Sequence, residues 1–312
     1  MNFESKISAK GRTLAIAGFF LFSIFSSVDI FSQDETEARS YKRKDKGFHF
    51  GLFLGAGFAN KHTAKLYDGY GYDETGKRNE FIKSLMYRRI VIDHGGGNGQ
   101  TDQVAQALNV NPGEWTFDET DMPINMKYNP AFSVSLLMRY CFDKKNSILL
   151  NAASTRFTLS GNFTIVITAP PVGPQPPGTQ NIQTFSITGS EQRTSFQFAY
   201  QRMLGDDDKF NFFVEGGPVC TMTRFLKNQA TINTLHIDLA AYYHWQQYAE
   251  SNTKILKGIG FGGFAGLGMN FNIGSKYSLQ LLYNPSVEKI AIGENQEPAL
   301  QHSMGMRAYY SL

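Results

Sequence analysis

The feature that most constrains this chain is a strict alternation of large apolar residues with glycine or polar residues, repeated in several short stretches. It is clearest in residues 259–271, where the second face is mostly glycine, and it also occurs in residues 48–58. Successive side chains of a β-strand point to opposite faces, so the alternation predicts strands. A soluble sandwich would carry many lysines and glutamates opposite its apolar residues. The small second face instead suits the narrow interior of a barrel.

Composition points to a membrane barrel and excludes other classes. Charged residues make up 18% of the 312 residues, and aromatic residues make up 14%. Soluble domains carry roughly 25% charged residues. The formal net charge of +3 is too small to indicate a nucleic-acid partner. A hydrophobic content of 42% argues against disorder over the whole chain.

Counting the alternating stretches gives eight strands, an even number as bacterial barrels require. The predicted strands are residues 48–59, 132–142, 147–159, 196–201, 210–215, 259–271, 277–283 and 304–312. The phase of residues 147–159 stays open, because Leu149 and Leu150 fall on opposite faces. The sequence thus predicts an all-β fold, an eight-stranded antiparallel up-and-down transmembrane β-barrel with long extracellular loops.

The connections between these strands alternate in length. Polar turns at residues 143–146, 205–208 and 272–275 are short, and the loops at about 60–130, 160–190, 224–257 and 285–300 are long. Short periplasmic turns and longer extracellular loops are typical of outer-membrane barrels. In a ten-stranded alternative, Phe163–Thr168 and Ile182–Thr188 form an extra membrane hairpin. We expect these two segments to prolong neighbouring strands instead.

The first residues have the pattern of an export signal. Basic residues precede an apolar run, Leu14–Phe25, which is followed by small and polar residues up to Ser32. We expect a signal peptide at 1–32, a periplasmic segment at 33–46 and an outer-membrane barrel at 47–312, surrounded by outer-membrane lipid. The alternative is an N-terminal anchor, but the run is shorter than the ~20 residues of a spanning helix.

Polar residues of the lumen-facing phase lie at similar depths from the predicted turns. They are Arg139, Gln201, Glu215, Asn270, Gln280 and Arg307. Because buried charges are costly without partners, we expect an Arg139–Glu215–Arg307 network. The alternative is a constriction that gates protons or ions. Since eight strands enclose a space just wide enough for side chains to fill, a structural plug is favoured.

The sequence offers little chemistry. Its histidines lack metal-site spacing, so we expect no metal, cofactor or catalytic residue. Cys141 and Cys220 are predicted near opposite ends of the barrel, too far apart for a disulfide. His302 and Ser303 are adjacent on a strand and point to opposite faces, which argues against a Ser–His pair between them.

Two loops are rich in aromatic residues. The candidates for an interaction surface are Tyr67, Tyr70, Tyr72 and Trp115 in the first loop, and Tyr242, Tyr243 and Trp245 in the third. They would either pack on one another as a cap over the barrel or present a surface to a partner protein or glycan. Self-packing is the favoured interpretation.

Three segments carry a resemblance to a known family. FHFGLFLGAGFAN (48–60), YNPAFSVSLLMRYCFDKKNSILLNAA (128–153) and FFVEGGPVC (212–220) resemble the Bacteroidota outer-membrane barrel family that contains PorT-like proteins. The resemblance implies a non-enzymatic barrel that docks with an envelope protein partner, in type IX secretion or related machinery. The alternatives are a barrel enzyme that acts on lipid and a ligand-binding or adhesion protein that acts through its loops.

Overall fold

A computed structural model of the chain describes residues 46–72, 77–92, 100–170, 181–205, 207, 209–239, 257–290 and 297–312. Eight long strands dominate these residues. They are β1 (Gly47–Phe58), β2 (Ala131–Cys141), β3 (Asn146–Ile167), β4 (Asn181–Leu204), β5 (Phe210–Ile232), β6 (Lys257–Ile273), β7 (Tyr277–Ile290) and β8 (Ala299–Ser311).

The eight strands form a closed ring. Each pairs antiparallel with the next in the chain, and β1 pairs with β8 in a register that runs from His49 opposite Ser311 to Phe58 opposite His302. The predicted eight-stranded up-and-down barrel is therefore confirmed. The ten-stranded alternative is wrong, because residues 163–167 belong to β3 and residues 182–188 to β4.

Large apolar side chains cover much of the outside of the barrel, and we call this surface the apolar belt. Leu136 and Phe261 keep 67% and 68% of their surface exposed. Other belt residues are Phe50, Leu52, Phe132, Leu150, Phe196, Phe198, Phe212, Leu267, Met304 and Tyr310. Such a surface suits lipid rather than water. The helices that the structure describes are all too short or too polar to span a bilayer.

The two ends of the barrel differ. At the turn end, residues 142–145, 205–209 and 274–276 join neighbouring strands. At the other end, the cap end, the connections span residues 59–130, 168–180, 233–256 and 291–298. Near the turn end, aromatic rings meet in pairs at Tyr140–Phe142, Phe210–Phe271 and Tyr277–Tyr310. An aromatic girdle is expected where a belt meets the membrane surface.

Strand β3 reverses its hydrophobic pattern along its length, and this settles the phase that the sequence left open. Near the turn end Leu150 faces outward and Leu149 is buried. Towards the cap end the outward residues become polar, with Ser154, Arg156, Thr158 and Asn162. The inward residues become apolar, with Phe157, Leu159, Phe163, Ile165 and Ile167 buried. The strand thus leaves the belt and becomes one wall of a water-exposed structure.

Three of the long loops are shorter than predicted, because the strands beside them continue into the structure at the cap end. Strand β3 continues to Ile167, β4 begins at Asn181, β5 continues to Ile232 and β7 continues to Ile290. The sequence analysis ended β5 and β7 where their apolar outward faces ended, whereas the expected prolongation of neighbouring strands by residues 163–168 and 182–188 is confirmed in β3 and β4. The backbone pairing continues beyond that point because the inward face is covered by other residues of the chain.

The first loop covers that inward face. It contains helical segments at Lys61–Tyr67, Phe81–Lys83, Leu85–Tyr87, Arg88–Ile92 and Glu119–Asp121, and helix α1 (Gln100–Leu108). Its short strands Trp115–Thr116 and Lys127–Tyr128 pair with β3. In the third loop, Leu235–Asp238 folds back on the end of β5.

Apolar side chains from the first loop and from β3, β4 and β5 form one buried core at the cap end. Its members include Leu66, Met86, Ile90, Val104, Phe117, Phe163, Ile165, Ile187, Ile232 and Ile237. We call this structure the cap. The first loop therefore packs on the barrel rather than projecting from it.

Several predictions fall outside the described residues. The signal peptide at 1–32 and the segment at 33–46, apart from Lys46, lie there. So do Tyr242, Tyr243 and Trp245 of the third loop.

Candidate functional site: the lumen and its cap

The six predicted lumen residues lie together inside the barrel, and we call them the turn-end layer. Arg307 donates from both terminal nitrogens to Glu215, at 2.6 and 2.7 Å. Gln201 donates to Glu215 at 2.9 Å, and Gln280 donates to Asn270 Oδ1 at 3.1 Å. All of these side chains are buried. A bidentate arginine–carboxylate pair is among the strong interactions available in such an interior.

Arg139 differs from its predicted role. It is fully buried, yet no acidic side chain of the described residues forms an ion pair with it. It donates to Gln201 Oε1 and to Ser278 Oγ, each at 3.4 Å, and lies 4.1 Å from the ring centre of Tyr309. The expected Arg139–Glu215–Arg307 network is therefore wrong in one link. Gln201 stands between Arg139 and Glu215, and the Tyr309 ring provides a cation–π contact.

Glycine on β6 makes room for the ion pair. A Cβ atom at Gly266 would lie 2.8 Å from Glu215 Cγ, which is closer than real side chains approach. The predicted small inward face of this strand thus has a specific use. It lets a glutamate from β5 lie flat against the wall and reach Arg307.

A second buried cluster, the cap-end layer, lies where the barrel meets the cap. Glu191 pairs with Arg193 Nε at 2.6 Å and accepts a hydrogen bond from the Tyr67 hydroxyl at 2.8 Å. Arg193 also donates to Gln301 Oε1 at 3.0 Å and to Thr63 Oγ1 at 3.1 Å. The sequence analysis missed this layer. The available signal was the Glu191 and Arg193 spacing of two residues, which places both on one face of a strand.

Tyr67 joins the first loop to the barrel. Its ring stacks on Phe225, with centres 5.0 Å apart, and lies over Gly189, where a Cβ atom would be 2.4 Å from Cδ1. Burial raises the pKa of Tyr67 well above its usual range, and the negative charge of Glu191 adds to this effect. The hydroxyl therefore stays protonated and remains a hydrogen-bond donor to Glu191.

Between the two layers the barrel contains a cavity of about 80 Å³, which we call the chamber. Both Arg193 and Arg307 line it. The other polar lining residues include Ser133, Asn151, Thr155, Ser195, Thr221, Asn284, Ser286, Glu288 and Gln301. A water needs ~10–15 Å³ by this kind of measure, so the chamber has room for several. Buried apolar side chains, including Phe53, Phe213 and Phe264, also pack inside the barrel, so the chamber is bordered by packed side chains as well as by the two layers.

The aromatic candidates of the first loop divide into two groups. Tyr67 and Trp115 are buried in the cap core, as the favoured self-packing interpretation expects, and the alternative that they present a surface to a partner is wrong for these two residues. Tyr70 and Tyr72 are half-buried and pack against that core. The Arg78 guanidinium lies 3.8 Å from the Tyr70 ring centre and pairs with Asp68 at 2.6 Å. Burial nevertheless raises the pKa of Asp68, with Arg78 offsetting part of the shift.

The structure adds little catalytic chemistry. His302 Nδ1 and the Tyr283 hydroxyl lie 2.6 Å apart, while Ser303 Oγ donates to the Asn284 carbonyl. Both cysteines are free. Within the described residues, no group of three or more histidine, cysteine or acidic side chains is arranged to hold a metal.

The fold, the apolar outer surface and the polar interior together define the class of protein. A closed antiparallel barrel with an apolar outside and a polar interior is a transmembrane β-barrel of the type found in outer membranes.

Solved structures with a similar architecture include three bacterial proteins. The first is the attachment invasion locus protein Ail of Yersinia pestis, solved with the heparin analogue sucrose octasulfate; it is 9% identical, the match covers 86% of this chain and 100% of that chain, and the TM-score is 0.36. The second is Neisserial surface protein A, which is 6% identical, with 86% of this chain and 99% of that chain covered and a TM-score of 0.37. The third is OprG of Pseudomonas aeruginosa, which is 10% identical, with 86% of this chain and 98% of that chain covered and a TM-score of 0.36. At these identities and TM-scores the similarity carries no conclusion about activity, ligands or partners. No protein-family model and no curated protein matches the chain.

Proposed function

We propose that this chain is an integral outer-membrane protein, exported through a signal peptide at residues 1–32, with its turn end in the periplasm and its cap outside the cell. The apolar belt supports the membrane location, since lipid is the solvent that such a surface requires. The segregation of short and long connections supports the orientation.

Tags inserted at the two ends test this orientation. Gly113 lies in an exposed turn of the cap, and Gly205 lies in an exposed turn at the other end. An antibody should reach a tag after Gly113 on intact cells, and a tag after Gly205 only once the outer membrane is permeabilised. Surface exposure of the Gly205 tag would overturn the orientation.

We further propose that the barrel is a non-enzymatic scaffold and that its cap docks with another envelope protein. The observation that carries this proposal is the cap core, a second hydrophobic core built outside the apolar belt. An ordered structure of this size on a rigid barrel is a suitable place for recognition. The resemblance to PorT-like proteins makes type IX secretion or related machinery the first assembly to test.

The exposed surface of the cap supplies the probe. Ile124 keeps 94% of its surface exposed, which makes it a candidate contact for a partner. A photo-crosslinking residue at position 124 should form an adduct with one envelope protein. The same residue at Lys144, in a turn at the other end, serves as the matched control.

The outcomes separate the candidate functions. A single reproducible adduct from position 124 supports docking through the cap. Lipid turnover by the purified barrel, with no adduct from the cap, would instead support the enzyme alternative. A soluble glycan that competes with the adduct would favour an adhesion role.

A further inference from the structure

We propose that the chamber is a binding site for a monovalent metal cation, Na⁺ or K⁺, held by the Glu288 carboxylate and the Asn284 amide oxygen with water completing the coordination. The site lies between the two ionic layers and is separate from the surface of the cap.

Glu288 is a buried carboxylate without a basic partner. It keeps 7% of its surface exposed, and no ion pair joins it to a basic side chain of the described residues. Its two oxygens accept hydrogen bonds from Thr221 Oγ1 and Ser286 Oγ, each at 2.5 Å. Short hydroxyl–carboxylate bonds of this kind are typical of an ionised acceptor. Two neutral donors leave its negative charge uncompensated.

Two amide oxygens in the same lining also lack donors. Asn284 is 4% exposed and its Oδ1 has no hydrogen-bond partner. Asn151 donates from Nδ2 to Gln197 at 2.9 Å, while its Oδ1 has no partner. The two residues lie on β7 and β3, which are opposite strands of the ring. Buried acceptors without donors are costly, and a cation satisfies several of them at once.

The distribution of charged side chains in the lumen explains why the chamber suits a cation. Arg307 and Arg193, which line the chamber, are each paired with their own glutamate. The surplus positive charge belongs to Arg139, which lies in the turn-end layer. The chamber therefore carries the unpaired charge of Glu288.

The donor set also selects the kind of ion. One carboxylate with neutral oxygens is a weak site for divalent cations, which prefer several carboxylates. The lining contains one histidine, His302, whose Nδ1 lies 2.6 Å from the Tyr283 hydroxyl, and among the described residues no group of three or more histidine, cysteine or acidic side chains could hold a metal. A hard monovalent cation with some of its water fits both the charge and the volume.

Thermal unfolding of the purified full chain in detergent micelles tests this site. The chain is compared in the chloride salts of Na⁺, K⁺ and N-methylglucamine at equal ionic strength, since the last is a bulky organic cation rather than a metal ion. We expect the unfolding midpoint to be a few degrees higher in Na⁺ or K⁺, because a ligand that binds only the folded chain stabilises it.

Three variants locate the effect. Glu288→Gln should abolish the difference between the salts, and Asn284→Ala should reduce it. The matched control is Asp102→Asn, an exposed carboxylate on α1, which should retain the full difference. Equal midpoints of the unmodified chain in the three salts, or a difference that survives in Glu288→Gln, would overturn the site.

One measurement on the unmodified chain applies if the variants fail to fold. The sodium NMR signal should be broadened by binding to the protein, and added K⁺ should narrow it by competition. An unbroadened signal would contradict the proposal.

Discussion

At the scale of single residues, Glu215 is the side chain on which the turn-end layer depends. Its carboxylate accepts hydrogen bonds from both terminal nitrogens of Arg307 and from the side-chain amide of Gln201. Replacing it by glutamine leaves the Arg307 charge buried without a counter-charge. We expect Glu215→Gln to lower the free energy of unfolding by roughly 3–5 kcal/mol. Urea unfolding of the refolded barrel in detergent measures this difference.

The control for that experiment is Asp102→Asn, which removes an exposed carboxylate. We expect it to change the free energy of unfolding by less than about 0.5 kcal/mol. An unfolding curve of Glu215→Gln that overlays that of the unmodified chain would show that water screens the ion pair.

Gly189 is the residue that fixes Tyr67 in the mouth of the barrel. A Cβ atom there would lie 2.4 Å from Cδ1 of the Tyr67 ring, which also stacks on Phe225. We expect Gly189→Ala to cost roughly 1–3 kcal/mol and to speed tryptic cleavage at Lys61 and Lys65. Gly263 is the matched control, since a Cβ there meets only an ordinary contact at 3.8 Å. Equal cleavage rates in the two variants would disprove the role of Gly189.

At the scale of elements, the first loop adds two short strands to the sheet outside the eight-stranded ring. Trp115–Thr116 and Lys127–Tyr128 extend the sheet beside β3, and the loop covers the apolar inward residues beyond the belt. Replacing residues 62–126 by a short linker should preserve heat-modifiable migration, because the eight-stranded ring does not use these residues. It should also expose the inner faces of β3, β4 and β5, which a hydrophobic dye would detect.

Ile124→Ser is the comparison for the loop deletion. It changes an exposed residue of the same loop and should leave dye binding unchanged. A loop deletion that loses heat-modifiable migration would show that the cap is needed to close the barrel.

The same elements show what the sequence could and could not predict. The belt parts of all eight strands follow from alternation, because lipid requires an apolar outward face. The prolongation of β3 and β4 into the cap was expected from residues 163–168 and 182–188, but the cap part of β5 was missed, because its outward residues turn polar where the strand leaves the membrane. The lumen residues were found through their shared phase. The cap-end layer was missed because Thr63 and Tyr67 come from a loop that periodicity cannot place.

The fate of Arg139 illustrates a further limit. Its depth and inward phase were predictable, but its partner was not. Strand register decides whether a glutamate or a glutamine lies nearest, and Gln201 occupies that position. Sequence patterns give the level of a residue in a barrel more reliably than its neighbour at that level.

At the scale of the whole molecule, the two polar layers, the apolar side chains between the strands and the cap together fill the lumen. We therefore expect no steady conductance from the purified protein in planar bilayers. Removing one layer with the pair Glu215→Ala and Arg307→Ala should still give no channel, because the Glu191–Arg193 layer remains. Steady current through the unmodified protein would contradict the blocked lumen.

The pairing of β1 with β8 joins strands from opposite ends of the described chain. The other seven pairings join consecutive strands, so the segments to be closed are shorter. Loop-closure entropy rises by about 0.6 kcal/mol with each doubling of length, so this seam is the most expensive pairing to close. We expect it to form last during assembly and to open first. In that order of assembly, the last species before closure is an open curved sheet whose free edges are β1 and β8.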